Sequence, residues 1–234
     1  MKSIDVCLSP DLMHLFDVQG KTVVVADILR ATSCMVTAFE HGIASIKPYA
    51  DLESCRANKS ADNFIAGERN GEKVDGFDLG NSPFEYMAPE LKGKQIHMTT
   101  TNGTQAIEKS KGAGLIAIGA FLNLSALAER VANENRDLII VCAGWKGKVN
   151  LEDTLYAGAL THLLKSKFNF ACDAPMLAEA VYLQAKNDLV AAVSGSSHVK
   201  RLNRLNIHKD ISFCMTPDQY SVVPVMNKGI LSAS

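Results

Sequence analysis

Four short segments carry most of the side chains able to do chemistry. In the first, Asp27 lies near the end of the apolar run 22–28, TVVVADI, with Arg30 and Thr32 just after it. A carboxylate at that point is costly to bury alone and stabilised if it holds a cation. Arg30, Thr32 and the free amides of a following helix could seat an oxyanion beside it. The second is the run Thr99, Thr100, Thr101, Asn102, Gly103, Thr104, which offers four hydroxyls and an amide around a glycine that permits close backbone approach. It lacks the lysine and spacing of a P-loop, so it does not imply a nucleotide. The third is Gly67-Glu68-Arg69, a carboxylate for a metal beside a cation for an anion. The fourth joins the loop 142–147, CAGWKG, to the adjacent carboxylates Glu152 and Asp153.

Each segment has a plainer interpretation. Asp27 can cap a helix while Arg30 pairs with it at the surface, and the threonines can satisfy free helix amides. Glu68 and Arg69 can form a solvated pair of little consequence. Acidic residues at a helix start are ordinary dipole usage. Trp145, the single tryptophan, can be a lid or a core plug. The recurrence of carboxylates with arginines at several strand ends favours a site. Hard oxygen ligands without clustered His or Cys favour Mg²⁺ over zinc or copper. Mg²⁺ with arginines is equipment for phosphoryl chemistry. The histidines show no HExxH spacing, and Ser196-Ser197-His198 has no GxSxG elbow, so His198 reads as a polar group at a helix start near the site.

These groups need a frame. Runs 22–28, 43–49, 96–101, 115–121 and 138–142 read as strands. Runs 31–41, 51–61 (capped by Asp51), 104–111, 123–135 (capped by Asn123), 152–165 and 174–186 read as helices. The alternation predicts an α/β fold, three-layer α/β/α, with a largely parallel or mixed sheet. A gapless offset of 72 places Thr32 on Thr104, Gly42 on Gly114, Ile46 on Ile118 and Leu52 on Leu124. It suggests a duplicated βαβα unit whose strand ends, with Asp27 and Arg30 matched to Thr99 and Asn102, face one cleft. The chain reads as a single compact catalytic unit, 1–234, or as two intertwined halves, about 1–90 and 91–234. The stretch 68–82, with three glycines and six charged residues, is too polar for core and reads as a functional loop.

The bulk properties narrow the class. A formal net charge of −1 from 24 basic and 25 acidic residues argues against nucleic acid. No apolar run approaches the roughly 20 residues that span a bilayer, and Asp5 interrupts any early signal-peptide core, so the expected location is cytoplasmic. The six cysteines form no CxxC pair and read as small buried hydrophobes. A homodimer is the base expectation for an enzyme of this size.

The segments VADILRATS (25–33), GER (67–69), FDLGNSP (77–83), TTNGT (100–104), GAFLN (119–123), CAG (142–144), Glu152-Asp153 with Ala157-Gly158, and Ser197-His198 together resemble, in order and over nearly the whole chain, the 2-phosphosulfolactate phosphatase family. The resemblance implies an α/β fold and Mg²⁺-dependent hydrolysis of 2-phosphosulfolactate to sulfolactate and phosphate, the step that serves coenzyme M biosynthesis in methanogens. The site expected from these residues has Asp27, Glu68 and Glu152 or Asp153 around Mg²⁺. Arg30, Arg69, Thr32 and residues 100–104 hold a small anionic phosphorylated substrate, with Asn81 and His198 at the rim. The attacking group is an activated water or Asp27 itself. The alternatives are a non-hydrolytic enzyme or a binding protein for a small phosphorylated or sulfonated acid.

Overall fold

Val23, Val24 and Val25 are completely buried, which is why a run without polar alternation forms an inner strand. The computed structural model describes residues 1–233. In chain order it holds β1 (Lys2–Cys7), β2 (Thr22–Ala26), α1 (Ala31–Glu40), β3 (Ser45–Pro48), α2 (Leu52–Arg56), β4 (Asn63–Arg69) and β5 (Glu72–Lys73). There follow β6 (Gln95–Thr99), α3 (Gly103–Lys109), β7 (Leu115–Gly119), α4 (Leu124–Ala132), β8 (Leu138–Cys142), α5 (Leu151–Leu164), β9 (Phe168–Phe170) and α6 (Asp173–Ala185). The chain closes with α7 (Leu189–Val193), α8 (Ser197–Arg204), α9 (His208–Cys214), β10 (Pro224–Asn227) and β11 (Ile230–Ala233).

The strands form one mixed sheet in the order β5-β4-β6-β3-β11-β10-β7-β2-β8-β1-β9. The α/β fold expected from the alternation is therefore present. Two parallel blocks, β4-β6-β3 and β7-β2-β8-β1-β9, run in opposite directions. The hairpin β10–β11 joins them by antiparallel pairs to β7 and β3. Sequence periodicity found neither this hairpin, whose strands have four residues each, nor β1, in which Lys2, Ser3 and Asp5 leave few apolar positions.

Strand residues point to both sides. Val23 and Val25 pack in one core cluster with Met35 of α1, and Val24 and Ala26 in another with Leu155 of α5. Two boundaries differ from expectation. Asp51 caps α2 by accepting from the Ser54 amide at 2.7 Å, but the helix ends at Arg56, because Cys55 is its one buried residue and nothing beyond anchors it. Asn123 does not cap α4. Its Oδ1 accepts from the Ala120 amide, and its Nδ2 donates to the Val222 carbonyl, tying the chain to the C-terminal hairpin. Five cysteines are buried as expected, but Cys172 is exposed, because it sits in the bend before α6. Among the described residues no helix is long and apolar enough to cross a membrane.

The segments β2–α1–β3 and β6–α3–β7 exchange partners. β2 pairs with β7, and β3 with β6. The N-termini of α1 and α3 are thereby brought face to face.

Candidate active site

Asp27 directly follows β2, and Thr32 locks it in place. The Thr32 hydroxyl donates to the Asp27 carbonyl at 2.9 Å and accepts from the Asp27 amide at 3.0 Å. Thr104 repeats this on Thr100, donating to its carbonyl at 2.9 Å and accepting from its amide at 3.2 Å. Asp27 is thus matched by Thr100 and not by Thr99, since the first loop is one residue longer. Both threonines are consumed in holding the loops. Gly103 allows the approach of the two helix starts: a β-carbon there would lie 2.8 Å from that of Ala31 and 2.9 Å from Asp27 Oδ2.

Asp27 is buried. Its Oδ1 accepts weakly from the Ala31 amide at 3.3 Å. Burial pushes its carboxyl up to about 6, with the charges of Glu68 and Glu152 adding to the rise and His198 and the Ala31 amide opposing it. Glu68, at the end of β4, folds back on its own loop. One oxygen accepts from the Gly71 amide, and the other is 3.3 Å from the Thr101 hydroxyl. Asn102 completes this wall, and Asn81 faces it with a buried Oδ1 that has no hydrogen-bond partner.

Asp153 and Glu152 begin α5 and do different things. Asp153 accepts from the Ile28 amide through Oδ1 and from the Gly144 amide through Oδ2, both at 2.9 Å. It straps together the loops that follow β2 and β8. Burial holds its carboxyl well above the usual range, reinforced by Glu152 and Asp27. Glu152 is completely buried. One oxygen hydrogen-bonds His198 Nδ1, and the other has no partner. Asn150 lies 3.3 Å from the same ring nitrogen, so Nε2 is the nitrogen His198 keeps for the cavity.

The arginines divide similarly. Arg30 is buried in an ion pair with Asp210 of α9 and donates to the Gly71 carbonyl at 2.9 Å. Arg69 turns away, donating to the Glu68 carbonyl at 2.6 Å and to Thr99 Oγ1 at 3.1 Å. It is absent from the cavity wall formed by Asp27, Leu29, Arg30, Glu68, Gly71, Asn81, Asn102, Trp145, His198, Arg201 and Leu202. Trp145, open in sequence between lid and plug, is part of that wall. Arg201 is the charged residue of this wall that sequence reasoning did not name. It lies in a helix of high polarity, and the one available signal was its spacing of three from His198, which puts both on one face of α8.

The cavity has free volume of about 20 Å³, room for one water or one bare cation. It shares Arg30, Gly71 and Asn81 with an adjoining cleft of about 240 Å³ bordered by Lys73, Ser82 and Asp210. Asp27 and Glu68 are hard oxygen donors that line the cavity, the charges of Glu68 and Glu152 both oppose that of Asp27, and Glu152 Oε2 is buried and unpartnered behind His198. Among the described residues no three His, Cys, Asp or Glu side chains lie together so that they could hold a metal ion by themselves.

Residues 7–229 match the 2-phosphosulpholactate phosphatase family. A protein of Caldanaerobacter subterraneus subsp. tengcongensis named probable 2-phosphosulfolactate phosphatase is 41% identical over 225 residues, covering 93% of this chain and 92% of that one. Similarly named proteins of Thermotoga maritima (41% identity, 97% and 96% coverage) and Clostridium acetobutylicum (36%, 97% and 98%) match as fully.

Proposed function

The chain belongs to the 2-phosphosulpholactate phosphatase family, and from that premise we propose that it hydrolyses 2-phosphosulfolactate to sulfolactate and phosphate with Mg²⁺ as cofactor. The observation that carries the reading is the pair Asp27 and Glu68, whose mutual repulsion a cation would relieve, in a cavity that also holds His198, with the carboxylate of Glu152 buried behind that histidine.

Asp27 and Glu68, the carboxylates that line the cavity, would hold Mg²⁺, with Glu152 adding negative charge from behind His198. Asp153 is spent on two backbone amides. When bound, the ion supplies charge neutralisation for the transferring phosphoryl group. The remaining chemistry belongs to the chain. The carboxylate cavity has room for the ion alone, so the phosphoryl group would lie at its mouth, where it meets the adjoining cleft at Arg30, Gly71 and Asn81, with the acid end of the substrate toward Lys73 and Ser82. A water attacks phosphorus, and the ester P–O bond breaks. His198, oriented through Nδ1 by Glu152, gives the Nε2 proton to the departing alkoxide. One proton of the water stays on phosphate and the other restores His198. The loose transition state of phosphoryl transfer needs positioning more than a strong base.

The test is phosphate release from 2-phosphosulfolactate, with phospholactate and p-nitrophenyl phosphate alongside, in Mg²⁺ and in excess EDTA. Mg²⁺-dependent release selective for the sulfonate is expected. Equal rates on all three esters would remove the sulfonate assignment, and no release from folded protein would remove the phosphatase.

A further inference from the structure

Arg201 differs from the other arginine at the cavity. Arg30 is neutralised by Asp210. Arg201 has no ion pair and no hydrogen bond among the described residues, and its Nε is buried without a partner. Its guanidinium lies 4.0 Å over the indole ring of Trp145, and both residues line the cavity that holds Asp27, Glu68 and His198. Stacking orients a guanidinium while leaving its in-plane donors unused. A buried donor without an acceptor is costly, and such a group next to a site calls for a ligand that supplies the acceptor.

The supporting elements serve the same arrangement. Ser196 caps α8 by accepting from the Val199 amide at 3.1 Å, and the helix then presents His198 and Arg201 three residues apart. Trp145 projects from a tight loop closed by mutual backbone bonds between Trp145 and Lys148 at 2.9 and 3.0 Å. Gly144 and Gly147 take positive φ there, and a β-carbon on Gly144 would lie 2.4 Å from the Lys148 carbonyl oxygen. Lys146 stacks on the same indole at 4.7 Å.

We propose that Arg201 is a catalytic residue that binds the phosphoryl oxygens through its in-plane N–H donors, and that Trp145 is the positioning residue that holds its guanidinium plane toward the cavity. The inference rests on the phosphatase reading for its catalytic part, while its binding part stands on the geometry alone. An anion with three oxygens matches the guanidinium fork, and it brings acceptors that the carboxylates of the cavity cannot offer once they hold a cation. As charge moves onto the phosphoryl oxygens and the leaving group, the interaction strengthens, which places its effect in kcat.

Trp145 is the one tryptophan of the chain, so its emission reports this stack directly. The holoenzyme is titrated with inorganic phosphate, following emission and, in parallel, heat of binding. Wild type should give a saturable emission change. Arg201→Gln should abolish it, weaken phosphate binding by more than about tenfold, and lower kcat by about 10²–10³-fold. Arg201→Lys, which keeps charge without the fork, should recover affinity more than kcat. Trp145→Phe should keep phosphate affinity within about threefold, and Trp145→Ala should lose about tenfold. Unchanged calorimetric affinity and kcat in folded Arg201→Gln would overturn the proposal. If wild type hydrolyses no ester but binds phosphate in an Arg201-dependent way, the phosphatase reading falls and the binding assignment remains. If the variant hydrolyses esters as wild type does, the assignment falls and the phosphatase remains.

Discussion

Ala31 and Gly103 face each other where the N-termini of α1 and α3 meet, close enough that a β-carbon on residue 103 would sit 2.8 Å from that of Ala31. The same β-carbon would be 2.9 Å from Asp27 Oδ2, the carboxylate oxygen that does not accept from the Ala31 amide. Gly103→Ala should therefore displace Asp27 before it unfolds the protein. The expected result is a loss of about 10²-fold in kcat/KM with the fold retained by circular dichroism. Wild-type kinetics in this variant would show that the helix starts can separate without consequence.

Asp153 works on stability more than on chemistry. Its two oxygens satisfy the buried amides of Ile28 and Gly144. Asp153→Ala leaves both without acceptors and should lower unfolding free energy by about 2–5 kcal/mol in urea titrations. A change below about 0.5 kcal/mol, the scale of surface substitutions, would show that water replaces the carboxylate fully.

His198 donates its proton to the leaving oxygen in the proposed mechanism. His198→Gln should lower turnover of 2-phosphosulfolactate by about 10²–10⁴-fold. p-Nitrophenyl phosphate, whose leaving group departs without a proton, should lose far less. Equal losses on both esters would make His198 a structural partner of Glu152 only.

The raised carboxyl of Asp27 gives a pH signature. Its folded pKa of about 6 lies above its ordinary value of 3.8, so the folded protein binds the extra proton. Its contribution to folding is most favourable below 3.8 and is lost as pH rises through about 6. A cation that binds the ionised carboxylate must displace that proton below this point, weakening affinity by up to about tenfold per pH unit. Mg²⁺ should then raise the melting temperature more at pH 7.5 than at pH 5. Equal shifts at both values would place the ion elsewhere.

The attacking group is decided by stereochemistry at phosphorus. A substrate made chiral with oxygen isotopes should release phosphate with inversion if water attacks directly. Retention would mean two displacements, with Asp27 as the phosphorylated nucleophile.

The sequence by itself determined the alternating elements, because completely buried strands such as Val23 to Val25 and capped helices such as α2 are specified by local periodicity and local hydrogen bonds. It also supplied the polar strand ends, since carboxylates, arginines and threonines after apolar runs are visible as residue types. Tertiary structure alone decided how those groups divide their work. Asp153 and Glu152 are neighbours with the same charge, yet one is spent on the Ile28 and Gly144 amides and the other keeps a bare oxygen. Arg30 reads as an anion binder until Asp210, 180 residues away, takes its charge. Arg201 is one more basic residue of a polar helix until the fold stacks it on Trp145 at the cavity. Partners so distant in the chain leave no periodic trace, because side-chain contacts across a sheet depend on strand order, and that order was set here by a short C-terminal hairpin joining two opposed parallel blocks.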